Sequence, residues 1–427
     1  MFNIFFSTII VAISLLITMQ GIFTLSMMLH AWNDPDDLQS DKDEHSIPAK
    51  KTFSLIVPAR NEAAVIAHTL NTIATIDYPN RLWEVIVVCQ HDDAETIAAV
   101  TTLLKKKLNK ANISLRVYDA APYNKPHALN FGLKYAKHEI VGVLDAEDEV
   151  YKSYLQRANA LFCKQKIDVL QMGIQLIDVH TRWYSALNVL EYYTWFKSVL
   201  RFFSRHGVAP LAGNSVFFTK KTLQVVNGWD ERSLTEDAEI GLRINQSGKK
   251  TAVHYHEQYV TKEETPPTVA QFVKQRTRWN QGFLQIIASG DWKSFATFKK
   301  NIMSVLIFSW PIQQIMYLAY FFIAITFLFK LKLSPIVVLI SIMPMYVLIA
   351  QLLVLFFIFI EFSKTYKINH PKHFFLQIGW VILPYFGLLT YAAARAVVRY
   401  FLNDFSWEKT NHTNAHRTKL QFLKIHS

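Results

Sequence analysis

The segment FSLIVPARNE, residues 53–62, indicates the fold class of this 427-residue chain. Its first seven residues, FSLIVPA, form an apolar run that predicts a short strand buried on both faces. The polar residues that follow mark the end of that strand. Two further segments, WEVIVVCQHDD at 83–93 and EIVGVLDAED at 139–148, repeat this order of apolar run and polar end.

Helical segments separate the predicted strands. Apolar residues recur at helical spacing in 63–76, 94–108, 125–137 and 150–165, and further strand-like runs occupy 113–120 and 168–178. Continuous apolar strands that alternate with helices indicate a sheet covered on both faces. We therefore predict an α/β fold with a mixed, mainly parallel, Rossmann-like sheet. Ligands bind such sheets beyond the carboxyl ends of the strands.

Long apolar segments flank this region. Residues 3–29 carry no charge, and 302–329, 333–360 and 374–402 are each long enough to span a bilayer. The last segment contains Pro384 and Gly387, so it can span, kink or lie partly in the interface. One span before the domain and three after it would put the basic C-terminal tail on the side opposite the domain. The positive-inside tendency favours a cytoplasmic tail, and the sequence leaves this conflict open.

The predicted organisation has five parts. They are an N-terminal transmembrane anchor (1–32), a linker (33–51), a globular domain (52–290), transmembrane or interfacial helices (291–402) and a basic tail (403–427). The apolar fraction of 51% exceeds that of a typical soluble domain. The net charge of +12 suits phosphorylated ligands and acidic membrane lipids. Nucleic acid is not an expected partner, because the chain has no zinc-finger spacing and no RNA-binding signature.

Acidic residues recur at the ends of the predicted strands. Asp145, Glu147 and Asp148 carry the oxygen ligands that Mg²⁺ and Mn²⁺ prefer, and such ions typically use one or two carboxylates plus substrate phosphates. We expect Asp145 and Glu147 to alternate on a strand, so that both can point to the same side. A solvated acidic loop is the other interpretation of the same residues.

A second acidic group, Thr235-Glu236-Asp237, lies at a predicted helix start. Thr235 is a plausible N-cap, and the two acids suit the helix dipole, so the group has a structural explanation. The chemical alternative is that Asp237 deprotonates a hydroxyl group. Lys125 and Arg278 are candidates for holding phosphate.

The basic, aromatic segment QFVKQRTRWNQG, residues 271–282, joins the domain to the apolar tail. Arg and Trp are common headgroup anchors, but Trp279 could equally stack on a sugar ring. We expect an amphipathic interfacial helix whose inner face closes the site. The aromatic segment 183–203 is either a helix packed on the domain or one lying against the membrane.

The ordered motifs VPARNE, HDD, LDAED, TED and QRTRW resemble the family-2 inverting glycosyltransferases. They are most similar to the membrane-embedded branch of cellulose, hyaluronan, chitin-type and poly-N-acetylglucosamine synthases. The resemblance covers roughly residues 53–282 and implies a glycosyltransferase-A-type domain between transmembrane helices. It also implies a UDP-sugar donor and a divalent metal, Mg²⁺ or Mn²⁺.

The resemblance implies a role for each matching residue. The nucleotide pocket and its phosphates would be lined by Asn61, Glu62, Asp92 or Asp93, and Lys125. Asp145 would open the DxD metal motif, in which Glu147 replaces the usual second Asp and Asp148 follows it. Asp237, with Glu236 beside it, would be the general base. The diphosphate and the acceptor sugar would be held by Gln275, Arg278 and Trp279.

The implied activity is transfer of a sugar from a UDP-sugar to a growing polysaccharide. The implied location is the plasma (inner) membrane with the catalytic domain in the cytoplasm, and export proteins are further expected partners. A glycolipid synthase that adds one or a few sugars to a membrane lipid is the first alternative. A non-catalytic membrane scaffold is the second.

Overall fold

The structure, a computed structural model, describes residues 2–33, 47–105, 112–330, 334–369, 374–406 and 408. Most of the predicted linker at 33–51 and most of the tail at 403–427 lie outside the described residues. The described residues form an α/β domain and a set of long apolar helices.

The α/β domain is built on a seven-stranded sheet with the order β3-β2-β1-β4-β7-β5-β8. Only β7 runs antiparallel to its neighbours, β4 and β5, so the predicted mixed, mainly parallel sheet is confirmed. A separate parallel pair joins β6 to β9. The strands are β1 (Phe53–Ala59), β2 (Trp83–Gln90), β3 (Ile113–Tyr118), β4 (Ile140–Val143), β5 (Val169–Met172), β6 (Ile174–Leu176), β7 (Val216–Thr219), β8 (Thr251–His254) and β9 (Thr261–Glu263).

The central strands are apolar on both faces because helices cover both sides of the sheet. All eight residues of β2 are buried, and two separate hydrophobic clusters lie on opposite faces of β1, one around Leu55 and the other around Ile56. The helices of the domain are α2 (Ile66–Ile73), α3 (Ala94–Lys105), α4 (Lys125–Leu133), α5 (Tyr154–Lys164), α6 (Ser185–Thr194), α7 (Leu200–Arg205), α8 (Lys220–Val225), α9 (Glu236–Gln246) and α10 (Val269–Ser289).

Helices α6 and α7 are joined through a π-helical turn, Trp195–Val199, and together account for the aromatic segment predicted at 183–203. Their apolar side chains are largely buried, including Tyr193 and Phe203. One side of this segment contacts the domain, and the other contacts the apolar helices that precede and follow the domain. The segment is therefore a layer between the two parts of the protein.

The apolar helices are α1 (Phe2–Asn33), α11 (Phe298–Phe308), α12 (Trp310–Lys330), α13 (Pro335–Thr365) and α14 (Phe374–Phe401). By length and composition, three segments could cross a membrane: Phe5–Asn33, Pro335–Thr365 and Gln377–Phe401. The pair formed by α11 and α12 bends by 64° and provides a fourth such segment if it counts as one.

Helices α1 and α13 approach each other closely at Gly21. A Cβ atom at this position would lie 2.7 Å from Val347 Cγ1 and 3.4 Å from the Tyr317 hydroxyl, so only glycine fits without movement. Gln351 donates a hydrogen bond of 2.8 Å to the Gly21 carbonyl. Polar groups of these apolar helices thus form hydrogen bonds across a tightly packed contact.

Candidate active site

The carboxyl ends of β1, β2 and β4 lie side by side, since β1 pairs in parallel with both of the others. After β1 the chain turns at Asn61, whose φ of 56° is in the left-handed region that Asn tolerates well. The Asn61 amide donates to Asp93 Oδ2 at 2.5 Å, and the Glu62 amide donates to the Thr96 hydroxyl at 3.0 Å. These bonds hold the predicted nucleotide-binding turn against the start of α3.

The two acids after β2 have different surroundings. Asp93 is buried, and its second oxygen accepts from the Thr96 amide at 3.2 Å, so it fixes the turn and caps α3. Asp92 is exposed at the same strand end. Asp92 is therefore the better placed of the two to meet a ligand.

Lys125 lies at the start of α4, where the Asn124 side chain accepts a hydrogen bond from the His127 amide and caps the helix. Its ammonium group pairs with Asp145 Oδ1. Burial alone would lower the pKa of Lys125, but the Asp145, Glu236 and Asp237 carboxylates outweigh it and raise that pKa. Lys125 is therefore a permanent cation facing both acidic groups.

The expectation that Asp145 and Glu147 alternate on a strand is wrong. Strand β4 ends at Val143, and the acidic residues occupy a turn. The turn is closed by Asp148, whose Oδ2 accepts from the Asp145 amide at 2.7 Å. Asp145 and Glu147 are both half-buried, whereas Asp148 is fully buried. Burial, together with the neighbouring carboxylates, raises the pKa of Asp148.

Asn214 is a site residue that the sequence did not single out. Its amide nitrogen donates to Asp148 Oδ1 at 2.8 Å and to Glu263 Oε1 at 2.6 Å. One side-chain amide thus joins two carboxylates that come from distant parts of the chain. No local pattern reveals this link, because Asp148 and Glu263 lie 66 and 49 residues from Asn214.

The second acidic group lies at the start of α9, as predicted, but Thr235 does not cap the helix with its side chain. Its hydroxyl is buried and has no hydrogen-bond partner among the described residues. Glu236 is buried, and burial together with the Asp237 charge raises its pKa to about 7. Asp237 is half-buried, and burial also raises its pKa.

Gly213 leaves an opening in front of Asp237. A Cβ atom at Gly213 would lie 3.1 Å from Asp237 Oδ2 and 3.3 Å from Lys125 Nζ. The carboxylate and the ammonium group therefore face the same small space. Any side chain at this position would occupy it.

The QRTRW segment lies on α10, which packs against the start of α9. The contact is close because Gly282 has no side chain: a Cβ there would lie 2.2 Å from Thr235 Oγ1. Burial raises the pKa of both Glu236 and Asp237, and Arg278 is close enough for its charge to oppose that rise. Gln275 is half-buried, and its amide oxygen has no hydrogen-bond partner among the described residues.

Two neighbours of α10 were not expected from the sequence. Trp279 is half-buried beside Tyr192 of α6, with 6.3 Å between ring centroids. Arg276 forms an ion pair of 2.6 Å with Glu191 and lies 4.6 Å from the Trp279 ring centroid. The ion pair thus supports the face of α10 that carries Trp279.

No cluster of three or more His, Cys, Asp or Glu side chains that could hold a metal ion occurs among the described residues. Asp145 and Glu147 nevertheless fit a site that substrate phosphates complete, because such sites need only one or two carboxylates. Asp148, predicted as a third ligand, accepts hydrogen bonds at both carboxylate oxygens and closes the turn, and its role as a metal ligand stays a prediction.

A family model described as "Glycosyltransferase like family 2" matches residues 48–282. The chain belongs to this family. The match includes every residue assigned above to the site and ends at Gly282. Its sheet is the glycosyltransferase-A-type fold that the motifs predicted.

Two relatives differ in the acceptor that their names imply. A beta-monoglucosyldiacylglycerol synthase from Synechocystis sp. is 28% identical over 235 residues, 54% of this chain and 47% of the relative. A poly-beta-1,6-N-acetyl-D-glucosamine synthase from Staphylococcus epidermidis is 24% identical over 277 residues, 65% and 64% of the two chains. The chain thus spans about half the length of the first relative and somewhat more of the second.

A solved mannosyltransferase from Pyrobaculum calidifontis, in complex with GDP-Man and Mn²⁺, has a similar fold. Its TM-score is 0.57 at 18% identity, and the alignment covers 92% of this chain and 99% of that chain. At this level of identity the likeness concerns the fold alone.

Proposed function

We propose that the protein transfers a sugar from a UDP-sugar to a growing polysaccharide, with inversion at the anomeric carbon. The observation that carries the proposal is the small space at Gly213, which the Asp237 carboxylate and the Lys125 ammonium group both face. A base and a cation beside one another are what this reaction requires. The catalytic domain would comprise residues 52–290.

In the proposed reaction Asp237 accepts the proton of the acceptor hydroxyl group. The hydroxyl oxygen then bonds to the anomeric carbon, while the bond from that carbon to the diphosphate oxygen breaks. UDP leaves with the bonding electron pair. Glu236 stays behind Asp237 in the buried interior, where its raised pKa of about 7 limits the negative charge next to the base.

The leaving diphosphate would be stabilised by Lys125 and Arg278. Fixed cations in a site that excludes water stabilise developing charge more strongly than in bulk solvent. Asp145 and Glu147 would hold Mg²⁺ or Mn²⁺, which supplies Lewis-acid stabilisation of the same phosphates. The mannosyltransferase with a similar fold was solved with Mn²⁺, which supports a divalent ion here.

The nucleoside would bind at the carboxyl ends of β1 and β2, with Asn61 and Glu62 on one side and Asp92 on the other. Asp93 holds this turn in place through its hydrogen bonds to Asn61 and Thr96.

The acceptor sugar would stack on Trp279, since an aromatic face suits the C–H bonds of a pyranose ring. Gln275 has an amide oxygen with no partner among the described residues. That oxygen would accept a hydrogen bond from a hydroxyl group of the acceptor, or the amide nitrogen would donate one to the diphosphate.

A polysaccharide is our preferred acceptor because the similarity to the poly-beta-1,6-N-acetyl-D-glucosamine synthase covers 65% of the chain. A membrane lipid is the alternative, favoured by the similarity to the beta-monoglucosyldiacylglycerol synthase, which covers 54%. We place the catalytic domain on the cytoplasmic face of the plasma membrane, because nucleotide sugars are made in the cytoplasm.

The test is a donor screen with the full-length purified protein. Labelled UDP-glucose and UDP-N-acetylglucosamine are supplied with Mg²⁺ or Mn²⁺, and released UDP and product size are measured. Insoluble labelled polymer supports the polysaccharide acceptor, and a label that partitions into organic solvent supports the lipid acceptor. If no common UDP-sugar is turned over and the Asp237→Asn protein keeps wild-type activity in cells, the scaffold interpretation is correct.

A further inference from the structure

Helix α1 has one end on the catalytic domain and the other end far from it. Near its C-terminus the Ala31 amide donates to the Ser198 hydroxyl at 2.9 Å, and that hydroxyl donates to the Met27 carbonyl at 2.7 Å. Ser198 belongs to the π-helical turn that joins α6 to α7. About half-way along α1, Ser14 contacts the Tyr320 hydroxyl at 2.6 Å.

Contacts to α1 fix the directions of the next two apolar helices. Gln313 of α12 bonds to Gln20, whereas Tyr320 bonds to Ser14, so α12 runs away from the domain. Helix α13 runs back, because the Ser341 carbonyl accepts from the Tyr320 hydroxyl while Glu361 pairs with Lys197 of the domain at 2.6 Å. Three helices, of which α12 runs antiparallel to α1 and α13, therefore connect the domain side to the far side.

Helix α14 is different because both of its ends contact the domain. At its N-terminus the Phe374 ring lies 4.5 Å from the ring of His180. Just beyond its C-terminus the Asp404 carbonyl accepts from Gln281 of α10 at 2.6 Å. The ends of a membrane-crossing helix are separated by a hydrocarbon layer of about 30 Å, so one of them would be far from the domain.

The middle of α14 also contacts the domain, and through a charged pair. The Tyr385 hydroxyl donates to Glu191 at 2.5 Å, and the other oxygen of Glu191 pairs with Arg276 at 2.6 Å. If α14 crossed the bilayer, this ion pair would lie near the hydrocarbon centre, where charged side chains are strongly unfavourable.

Helix α14 runs parallel to α10 along this contact. Phe272 lies beside Tyr385 with 5.6 Å between ring centroids, and the Thr277 hydroxyl approaches the Ala392 carbonyl at 3.4 Å. Because α10 carries Lys274 on its exposed side, it cannot lie inside the hydrocarbon layer. A helix that follows α10 in this way lies along the domain surface.

The opposite face of α14 is apolar and exposed. Six large side chains form it at helical spacing: Trp380, Leu383, Phe386, Tyr391, Val398 and Phe401. Trp380 is 83% exposed and Phe401 is 78% exposed, so this face is apolar from one end of the helix to the other. A helix with one apolar face and the other face against protein can lie in the membrane surface.

We propose that α14 lies in the plane of the membrane, with this face in the acyl chains of the leaflet next to the catalytic domain. The chain then crosses the membrane three times, through α1, α12 and α13. The C-terminal tail remains on the side of the catalytic domain. This arrangement resolves the conflict that the sequence left open.

The charge distribution agrees with this topology. Lys364 lies in the last turn of α13, Lys367 and Lys372 lie between α13 and α14, and the tail after Glu408 contains three lysines, one arginine and no acid. Basic segments next to membrane helices favour the cytoplasmic side. Both segments are on that side only if α14 does not cross.

The test is side-specific labelling of single-cysteine variants of the full chain in sealed membrane vesicles. The background carries Cys89→Ala and Cys163→Ser, and each variant adds one of Ser334→Cys, Asn369→Cys or Ser427→Cys. A membrane-impermeant maleimide should label Asn369→Cys and Ser427→Cys from one side and Ser334→Cys from the other. Any other distribution overturns the proposal.

A depth measurement provides a second, independent check. Nitroxide labels at residues 380, 391 and 401 should all report one shallow depth by power saturation. A label at 391 that lies deep in the bilayer, between shallow labels at 380 and 401, would mean that α14 crosses. Neither measurement depends on the donor or the acceptor, so the topology can fail or hold independently of the proposed function.

Discussion

Substitution of Gly282 by alanine should separate the two halves of the active site. A Cβ at Gly282 would lie 2.2 Å from Thr235 Oγ1, 2.5 Å from its Cγ2 and 2.8 Å from its Cβ. Rotation of the Thr235 side chain cannot relieve the contact with its own Cβ. Helix α10 must therefore move away from the start of α9, by roughly 0.6 Å if the contact with the Thr235 Cβ is restored at 3.4 Å and by roughly 1.2 Å if the Thr235 hydroxyl keeps its position.

This movement takes Arg278 and Trp279 away from Asp237. A displacement of about 1 Å can lower the rate of a catalysed reaction about 10²-fold, so we expect kcat to fall by about that factor. The loss of stability should be small: overpacking costs about 1–3 kcal/mol, and alanine returns about 1 kcal/mol of helix propensity. UDP release by the full-length protein and thermal unfolding measure the two effects.

Gly379→Ala is the matched control, because a Cβ there meets no atom within 4 Å. It should keep wild-type kcat. Thr235→Ala combined with Gly282→Ala removes the two closest contacting atoms and should recover much of the lost rate. If Gly282→Ala alone turns over within twofold of the wild type, the close approach of α9 and α10 does not control the chemistry.

Four further outcomes are expected. Arg278→Ala should reduce transfer by about 10²–10³-fold with membrane insertion unchanged in a fractionation assay, whereas near-normal turnover would make Arg278 a headgroup anchor. Trp279→Ala should raise the KM for the acceptor more than the KM for the donor in initial-rate kinetics. Because burial raises the pKa of Glu236 from 4.5 to about 7, its contribution to stability is complete below pH 4.5 and is lost as the pH rises through 7. Glu236→Gln should therefore lose less thermal stability than the wild type between pH 5 and 8. Chelation of divalent ions should stop transfer, Mg²⁺ or Mn²⁺ should restore it, and Asp145→Asn should need more metal for half-maximal rate.

The strands of the central sheet could be predicted from the sequence because each is an uninterrupted apolar run with a polar end. This pattern is local, and burial on both faces makes it strong. The acidic turn was predicted less well: the chain leaves the strand at Val143, and Asp148 closes the turn by accepting from the Asp145 amide. A side chain that bonds to a backbone three residues away does not alter the hydrophobic pattern.

The supporting residues of the site could not be predicted, since their partners are distant in the chain. Arg276 lies inside the QRTRW motif, yet its partner Glu191 is 85 residues earlier. Thr235 was expected to cap α9, but Gly282 lets another helix press against its hydroxyl. Whether α14 crosses the membrane or lies along it could not be predicted either, because hydropathy gives the length of an apolar helix but not its direction relative to the membrane.

The close approach at Gly21 bears on the fate of the product. The contact formed by Gly21, Val347 and Gln351 has no room for one added methyl group, and a sugar ring is several times larger. A glycan strand therefore cannot pass between α1 and α13 at this contact. A polymer made by this chain would therefore need a path other than the contact between α1 and α13.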